Sequence, residues 1–421
     1  MKKVIALLIC MALTPISVFS AENETRESLK AKAIEASVDY QAIENGIISL
    51  QETLESVNDS KESIEELYDA YQNYVELYEA GANLIPDPED PTNPETPPDP
   101  IKVAYLQLQA LFKSLYGIET PSLTEEQIYD NFIYPSRVLP MILSNQIGNL
   151  RIDRSRLADM LENGVDTIWF NLGYLESQGK LLGEYLALLR GQTDIAKIQL
   201  ELGKISALDF ESKSMDLQAS VYDQVRLERE SENLLYRLRS LAGLRFEEPF
   251  SIEIAPLQSD QIEILDYESL RRLSVRTRVD AIRAMNEMDT AQIEEKIMKG
   301  YITDERHPRR LAAAIKSLDT ERSYKRIVSL IDQQLYTAYN NALTNLEALD
   351  NSKRAYEVSV SEYKRALAFY SVGYLSEIDL QGAKLAVAQA ELAIEQQSYQ
   401  LSLAYQKLIS TVTFGAGMGG Q

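Results

Sequence analysis

Apolar residues recur along most of this chain at steps of three, four and seven, the period of a helix that buries one face. From about Asp166 to Leu202 they fall at Trp169, Leu172, Leu175, Leu182, Leu186, Leu189, Ile195 and Ile198. From Ala207 to Leu244 the leucines 227, 234 and 241 are seven apart. A second pair of runs, about Ser323 to Tyr370 and Glu377 to Thr411, repeats the theme with Val387, Ile394, Leu401 and Leu408. Strict sevens predict coiled-coil packing, and at 1.5 Å per residue the arms extend on the order of 55 to 70 Å. A hairpin of two such arms cannot bury both faces alone. Another long helical run spans about Glu22 to Ala80, with a predicted break at Asn58-Asp59-Ser60.

The interruptions divide the chain. Residues 85–100 form an acidic Pro-rich loop, which proline keeps from being helical and charge keeps in water. Two shorter helical patterns follow it, punctuated by Pro121, Pro135 and Pro140. Phe250 to Ile254, between Pro249 and Pro256, is the one strand-like run, and Lys299 to Arg309 is irregular. The expected organisation is a leader (1–20), N-terminal long helices (21–84), the Pro-rich loop (85–100), a helical connector (101–165), a first hairpin (166–248), an equatorial connector (249–322), a second hairpin (323–415) and a Gly-rich tail (416–421).

The two hairpins share a turn. Gly-x-x-Ser-x-x-Asp occurs as Gly203, Ser206, Asp209 and again as Gly373, Ser376, Asp379, the copies lying 170 residues apart from Gly203 to Gly373. At that offset Ala366 falls on Ala196 and Leu408 on Leu238, which points to an internal duplication. Glycine suits the left-handed position just past a helix, serine the N-cap of the next, and aspartate the third position, where it completes a capping box. These caps alone account for all six residues.

Charge and leader set the compartment. Lys2 and Lys3, the apolar run Val4 to Leu13 and Val18-Phe19-Ser20 before Ala21 read as a secretory signal peptide. Cleavage there would remove Cys10, the one cysteine, and with it any disulfide or thiolate metal site. With 64 acidic against 42 basic residues the net charge is −22, which argues against nucleic acid as a partner and favours solubility or cation handling. No later stretch has the 18 or so apolar residues of a membrane helix.

The two turns, in Leu200 to Ser220 and Tyr370 to Leu392, and the helices that follow them to Leu244 and Gly415 resemble the periplasmic tips of the TolC-type outer membrane efflux protein family. The resemblance covers most of the chain after Asp166. It implies a mostly α fold of duplicated long antiparallel coiled-coil hairpins, a TolC-like α-barrel protomer. It also implies a homotrimer that docks through Gly203, Ser206, Gly373 and Ser376 on a periplasmic adaptor, and through it serves an inner-membrane pump. Asp209 and Asp379 would then form two rings of three carboxylates at the pore constriction, where converging charge raises pKa values and attracts cations. Family members also carry paired strands that close an outer-membrane barrel. Here the expected places, about Asn145 to Arg156 and Lys299 to Arg309, are short and charged, so membrane strands are reduced or absent. The family's basic latch residue corresponds to Leu375.

An enzyme has little to stand on. His307 is the one histidine, in a charged connector, and no nucleophile elbow or phosphate-cradling loop occurs, so no cofactor is called for. Tyr68, Tyr71, Tyr74 and Tyr78 read as packing residues. The expected function is an exit duct of a tripartite efflux or type I secretion system in the cell envelope. An exported coiled-coil rod or adhesin without a lumen is the alternative.

Overall fold

The computed structural model describes residues 23–85, 99–245, 251–252 and 264–415. The leader 1–20, most of the Pro-rich loop (86–98), the tail 416–421 and the outer parts of the strand-like run at 250–254 lie outside the described residues. In chain order the elements are β1 (Asn23–Glu24), α1 (Arg26–Ala36), α2 (Val38–Glu79), α3 (Pro100–Tyr116), α4 (Glu125–Ile128), a π-helical run (Tyr129–Val138), α5 (Leu139–Glu201), α6 (Ala207–Leu241), β2 (Ser251–Ile252), α7 (Tyr267–Thr277), α8 (Val279–Tyr301), α9 (Pro308–Ser371) and α10 (Glu377–Thr413). The two strands pair in parallel, Asn23 opposite Ser251 and Glu24 opposite Ile252. They are the only strands among the described residues, and the fold is the mostly α, duplicated-hairpin architecture, with no strand of membrane-spanning length among the described residues.

Several boundaries differ from the sequence expectation. The N-terminal helix breaks at Ser37, whose backbone is extended, and α2 then runs unbroken through Asn58, Asp59 and Ser60. Those three residues each cost only a few tenths of a kcal/mol in a helix, less than the packing around them supplies. The first arm's α-helix begins at Leu139 instead of Asp166, continuing directly from the π run, with Pro140 accommodated at that junction. Residues 145–156, one expected place for membrane strands, are therefore helix. Likewise Lys299 to Tyr301 complete α8 and Pro308 opens α9, leaving only 302–307 as a turn. The long helices α5 and α9 begin 169 residues apart (Leu139 to Pro308), in step with their turns. Between α2 and α5 lie α3, α4 and the π run, while the matching link between α8 and α9 is the short turn.

The chain divides into two compact units, one built from residues up to 40, 157–266 and 336–410, the other from 41–156, 267–335 and 411 onward. In the first, Leu29 and Ala33 of α1 pack with Val165, Ile168, Trp169 and Leu172 of α5 and Leu238 of α6. In the second, Tyr71 and Tyr74 of α2, Tyr105 and Phe112 of α3, Phe132 and Ile133 of the π run and Met298 of α8 share a core. The Tyr74 and Phe112 rings stack 5.7 Å apart, and the Tyr74 hydroxyl donates to the Glu119 carbonyl at 2.7 Å. Each such side chain contributes on the order of 1.5 to 3 kcal/mol by burial. The π run bypasses the proline: Pro135 has no N–H to give, and the Leu139 N–H bonds back to the Tyr134 carbonyl.

Candidate functional site

Both hairpin turns are built by the same local chemistry. In the first, Gly203 has φ 68°, and the N–H groups of Gly203 and Lys204 donate to the carbonyls of Leu200 (2.9 Å) and Gln199 (2.8 Å). This closes the end of α5 as a Schellman motif, which a residue with a Cβ would strain. Ser206 is then extended (φ −78°, ψ 160°), its hydroxyl accepting the Asp209 N–H at 3.1 Å. The Asp209 carboxylate accepts in return the Ser206 N–H (3.1 Å) and hydroxyl (2.7 Å). In the second turn Gly373 has φ 80° and donates to Tyr370, and Tyr374 donates to Phe369, each at 3.0 Å. Ser376 and Asp379 repeat the reciprocal cap at 3.2 Å in both directions, with the hydroxyl on the carboxylate at 2.5 Å. The Ser206 hydroxyl and N–H hold the Asp209 carboxyl below its ordinary value.

Contacts between α5 and α10 bring the two turns to one end of the first unit. Glu184 pairs with Lys384 at 3.5 Å, Ser177 donates to Glu395 at 3.0 Å, Tyr399 to the Thr167 carbonyl at 3.2 Å and Gln406 to Asp166 at 3.1 Å. Moving away from the turn, residue numbers fall along α5 as they rise along α10, so the helices are antiparallel.

The turns carry an apolar skin that sequence reasoning missed. Leu202 and Leu208 flank the first turn and Val372 and Tyr374 sit on the second, all at least 64% exposed. Their signal was visible, since large apolar residues interrupt a polar capping motif. Leu208 also begins a stripe on α6 that continues through Met215, Tyr222 and Tyr236 at multiples of seven, each more than half exposed. Burial along α5 follows a slightly different register from the expected one: Trp169, Leu172, Leu175, Leu186 and Leu189 are buried, but Ile195 and Ile198 are exposed while Leu188 and Ala196 are inside.

The remaining sequence candidates are structural. The His307 ring accepts the Arg309 N–H through Nδ1 at 3.3 Å, at the start of α9. Tyr71 and Tyr74 are core residues. Among the described residues no cluster of three or more His, Cys, Asp or Glu is placed to hold a metal ion, and no helix is long and apolar enough to cross a membrane.

The fold is the TolC-like one that solved outer membrane channels share. Solved structures that share it include the outer-membrane channel OprN, 14% identical, with a TM-score of 0.53 over 93% of this chain and 90% of that one. CusC, described in terms of folding and transmembrane channel formation, is 11% identical with a TM-score of 0.50 over 94% and 97% of the two chains. The Campylobacter jejuni CmeC outer membrane channel is 13% identical with a TM-score of 0.50 over 68% and 69%. No protein-family model and no curated protein matches the sequence.

Proposed function

We propose that this chain is the exit-duct subunit of a tripartite efflux or type I secretion system, a homotrimer whose hairpins close into an α-helical conduit in the cell envelope. The observation that carries the reading is the pair of identically capped turns at one end of the antiparallel α5 and α10, each with exposed apolar residues beside it. Solvated turns have no need of Leu202, Leu208, Val372 and Tyr374, and a docking surface does. The α6 stripe at Leu208, Met215 and Tyr222 has coiled-coil spacing and no described helix covers it, as expected of a protomer that packs against the next hairpin.

In this assembly Gly203, Ser206, Gly373 and Ser376 shape the tips that meet a periplasmic adaptor. Asp209 and Asp379 form carboxylate rings at the constriction and favour cations, and the inner-membrane pump supplies the energy. The gate opens by outward movement of the hairpin that carries Asp379. With Leu375 in place of a basic latch, the closed state relies on apolar contact instead of a salt bridge. The chemistry is conduction rather than catalysis, in keeping with structural neighbours that are channels.

Light scattering and negative-stain imaging of the mature protein, with and without detergent, test the reading. A hollow trimer in plain buffer is expected. A monomer or a solid rod overturns it, the latter in favour of an exported structural rod.

A further inference from the structure

We infer that the cavity between the π run, α8 and α9 is a binding site for a small amphipathic amine, an ammonium group on an apolar body. All of its lining residues belong to the second unit, so the site is formed within one protomer and does not depend on the conduit proposed above.

The cavity encloses about 340 Å³, at the lower end of what small-molecule sites offer. Ala312 and Ala313 of α9 leave it open, and Met298 of α8 joins the rings of Tyr129 and Tyr134 to make its apolar lining. Two ion pairs complete the wall, Arg309 with Asp130 at 2.7 Å and Lys316 with Glu294 at 2.8 Å.

The Tyr129 hydroxyl is what these contacts do not explain. Tyr129 is 2% exposed, and its hydroxyl has no hydrogen-bond partner among the described residues. A buried hydroxyl in that condition is costly, and a ligand that reaches it removes the cost. The charges that act on it belong to the cavity wall. Burial most of all, then the negative charge of Glu294, with Asp130 on the same side and Arg309 opposing, keeps the phenol neutral.

The sign of that charge selects the ligand. A carboxylate or phosphate would meet Glu294 and Asp130, and a protein of net charge −22 repels it from farther away. A bare metal ion needs more oxygen donors than two carboxylates that are each already paired. An ammonium fits both the charge and the hydroxyl. The Glu294 side chain is 15% exposed and that of Lys316 54%, so the lysine can turn into water and yield the carboxylate. The ligand's N–H groups then donate to Glu294 and to the Tyr129 oxygen, while its body lies against the tyrosine rings and Met298. Arg309 stays in place, held by Glu126 at 2.5 Å as well as by Asp130.

Calorimetry and ligand-observed NMR on the full-length protein test this with benzylamine, benzyl alcohol and benzoate. Benzylamine is expected to bind at millimolar concentration or below, benzyl alcohol about tenfold more weakly and benzoate not at all. Glu294→Gln should weaken benzylamine about tenfold or more, whereas Lys316→Met should strengthen it by removing the competitor for Glu294. Tyr129→Phe should weaken it severalfold without lowering the melting temperature, because the group deleted has no internal partner. The site is overturned if benzylamine does not bind, if the three probes bind alike, or if Glu294→Gln and Tyr129→Phe bind benzylamine as the parent does. A melting temperature lowered by Tyr129→Phe would show the hydroxyl already satisfied inside the protein, and overturns it too. None of these outcomes bears on the conduit.

Discussion

Arg26 grips Asp166 through two guanidinium nitrogens, Nε at 2.6 Å and Nη2 at 2.7 Å, across 140 residues of sequence. The carboxylate is almost wholly buried, and Lys30 (3.0 Å) and Gln406 (3.1 Å) complete its shell. The guanidinium also lies 4.9 Å from the centre of the Phe170 ring. One side chain thus joins α1, α5 and α10. Hydrogen bonding to Asp166 is what holds the Arg26 guanidinium more firmly charged than usual, against the opposing effect of burial.

Replacing Asp166 by Asn removes the buried carboxylate that Arg26 and Lys30 share and leaves them only the exposed Glu27. The expected loss is about 3 kcal/mol of unfolding free energy, read as a lower urea midpoint. Adding Arg26→Met to that variant should recover part of the loss. A midpoint unchanged in the single variant would show that the cluster contributes nothing net.

The turns should respond to small changes in a position-specific way. Gly203→Ala and Gly373→Ala each place a Cβ at positive φ and are expected to cost about 1 to 2 kcal/mol. Ser206→Ala and Ser376→Ala remove a cap for about 1 kcal/mol each. Denaturant unfolding of singles and doubles checks this, and changes in the two turns should add.

Tyr399 predicts an alkaline limit. Burial pushes its phenol up to about 12, and the hydroxyl donates to the Thr167 carbonyl. The folded state favours the neutral phenol, whose unfolded value is about 10. The stabilisation is therefore fully present below about pH 10 and lost as pH rises toward 12. Ultraviolet titration should show a late-ionising phenolate that disappears in Tyr399→Phe, and stability near pH 11 should fall less steeply in that variant.

At the acid end the sign reverses for Asp209. Its depressed pKa means that the cap contributes above the ordinary carboxylate range and is lost as pH falls through the folded value. Ser206→Ala should flatten the dependence of stability on pH in that acid window. Equal slopes in both proteins would remove the cap from the account of acid sensitivity.

The proposed carboxylate rings make a separate prediction. Asp209→Asn combined with Asp379→Asn should weaken divalent-cation binding to the assembled protein severalfold, as followed by calorimetry. Binding that is unchanged would place any cation site elsewhere.

The turns were legible because their chemistry is local: a glycine forced to positive φ, and a serine and an aspartate three residues apart that satisfy each other's backbone. Duplication made them more so. Helix starts were harder, since Pro140 and Pro135 look like stops until one is placed where a π run passes into an α-helix and the other inside that run, closed by Leu139 and Tyr134. Register was harder still. Ile195 and Ile198 fit the apolar period as well as Leu188 and Ala196 do, and only the neighbouring helices decide which pair is buried. The skin of Leu202, Leu208, Val372 and Tyr374 escaped because periodicity finds cores, and these residues face outward.

The duplicated halves have unequal links, an aromatic insert between α2 and α5 but a six-residue turn between α8 and α9, and in the proposed trimer this inequality would set the symmetry a partner encounters. Three copies would offer six turns of one design and only three inserts. A protein reading the turns meets a near-sixfold ring and can bind in sixes or in pairs per subunit, whereas anything reading the inserts is confined to threefold stoichiometry.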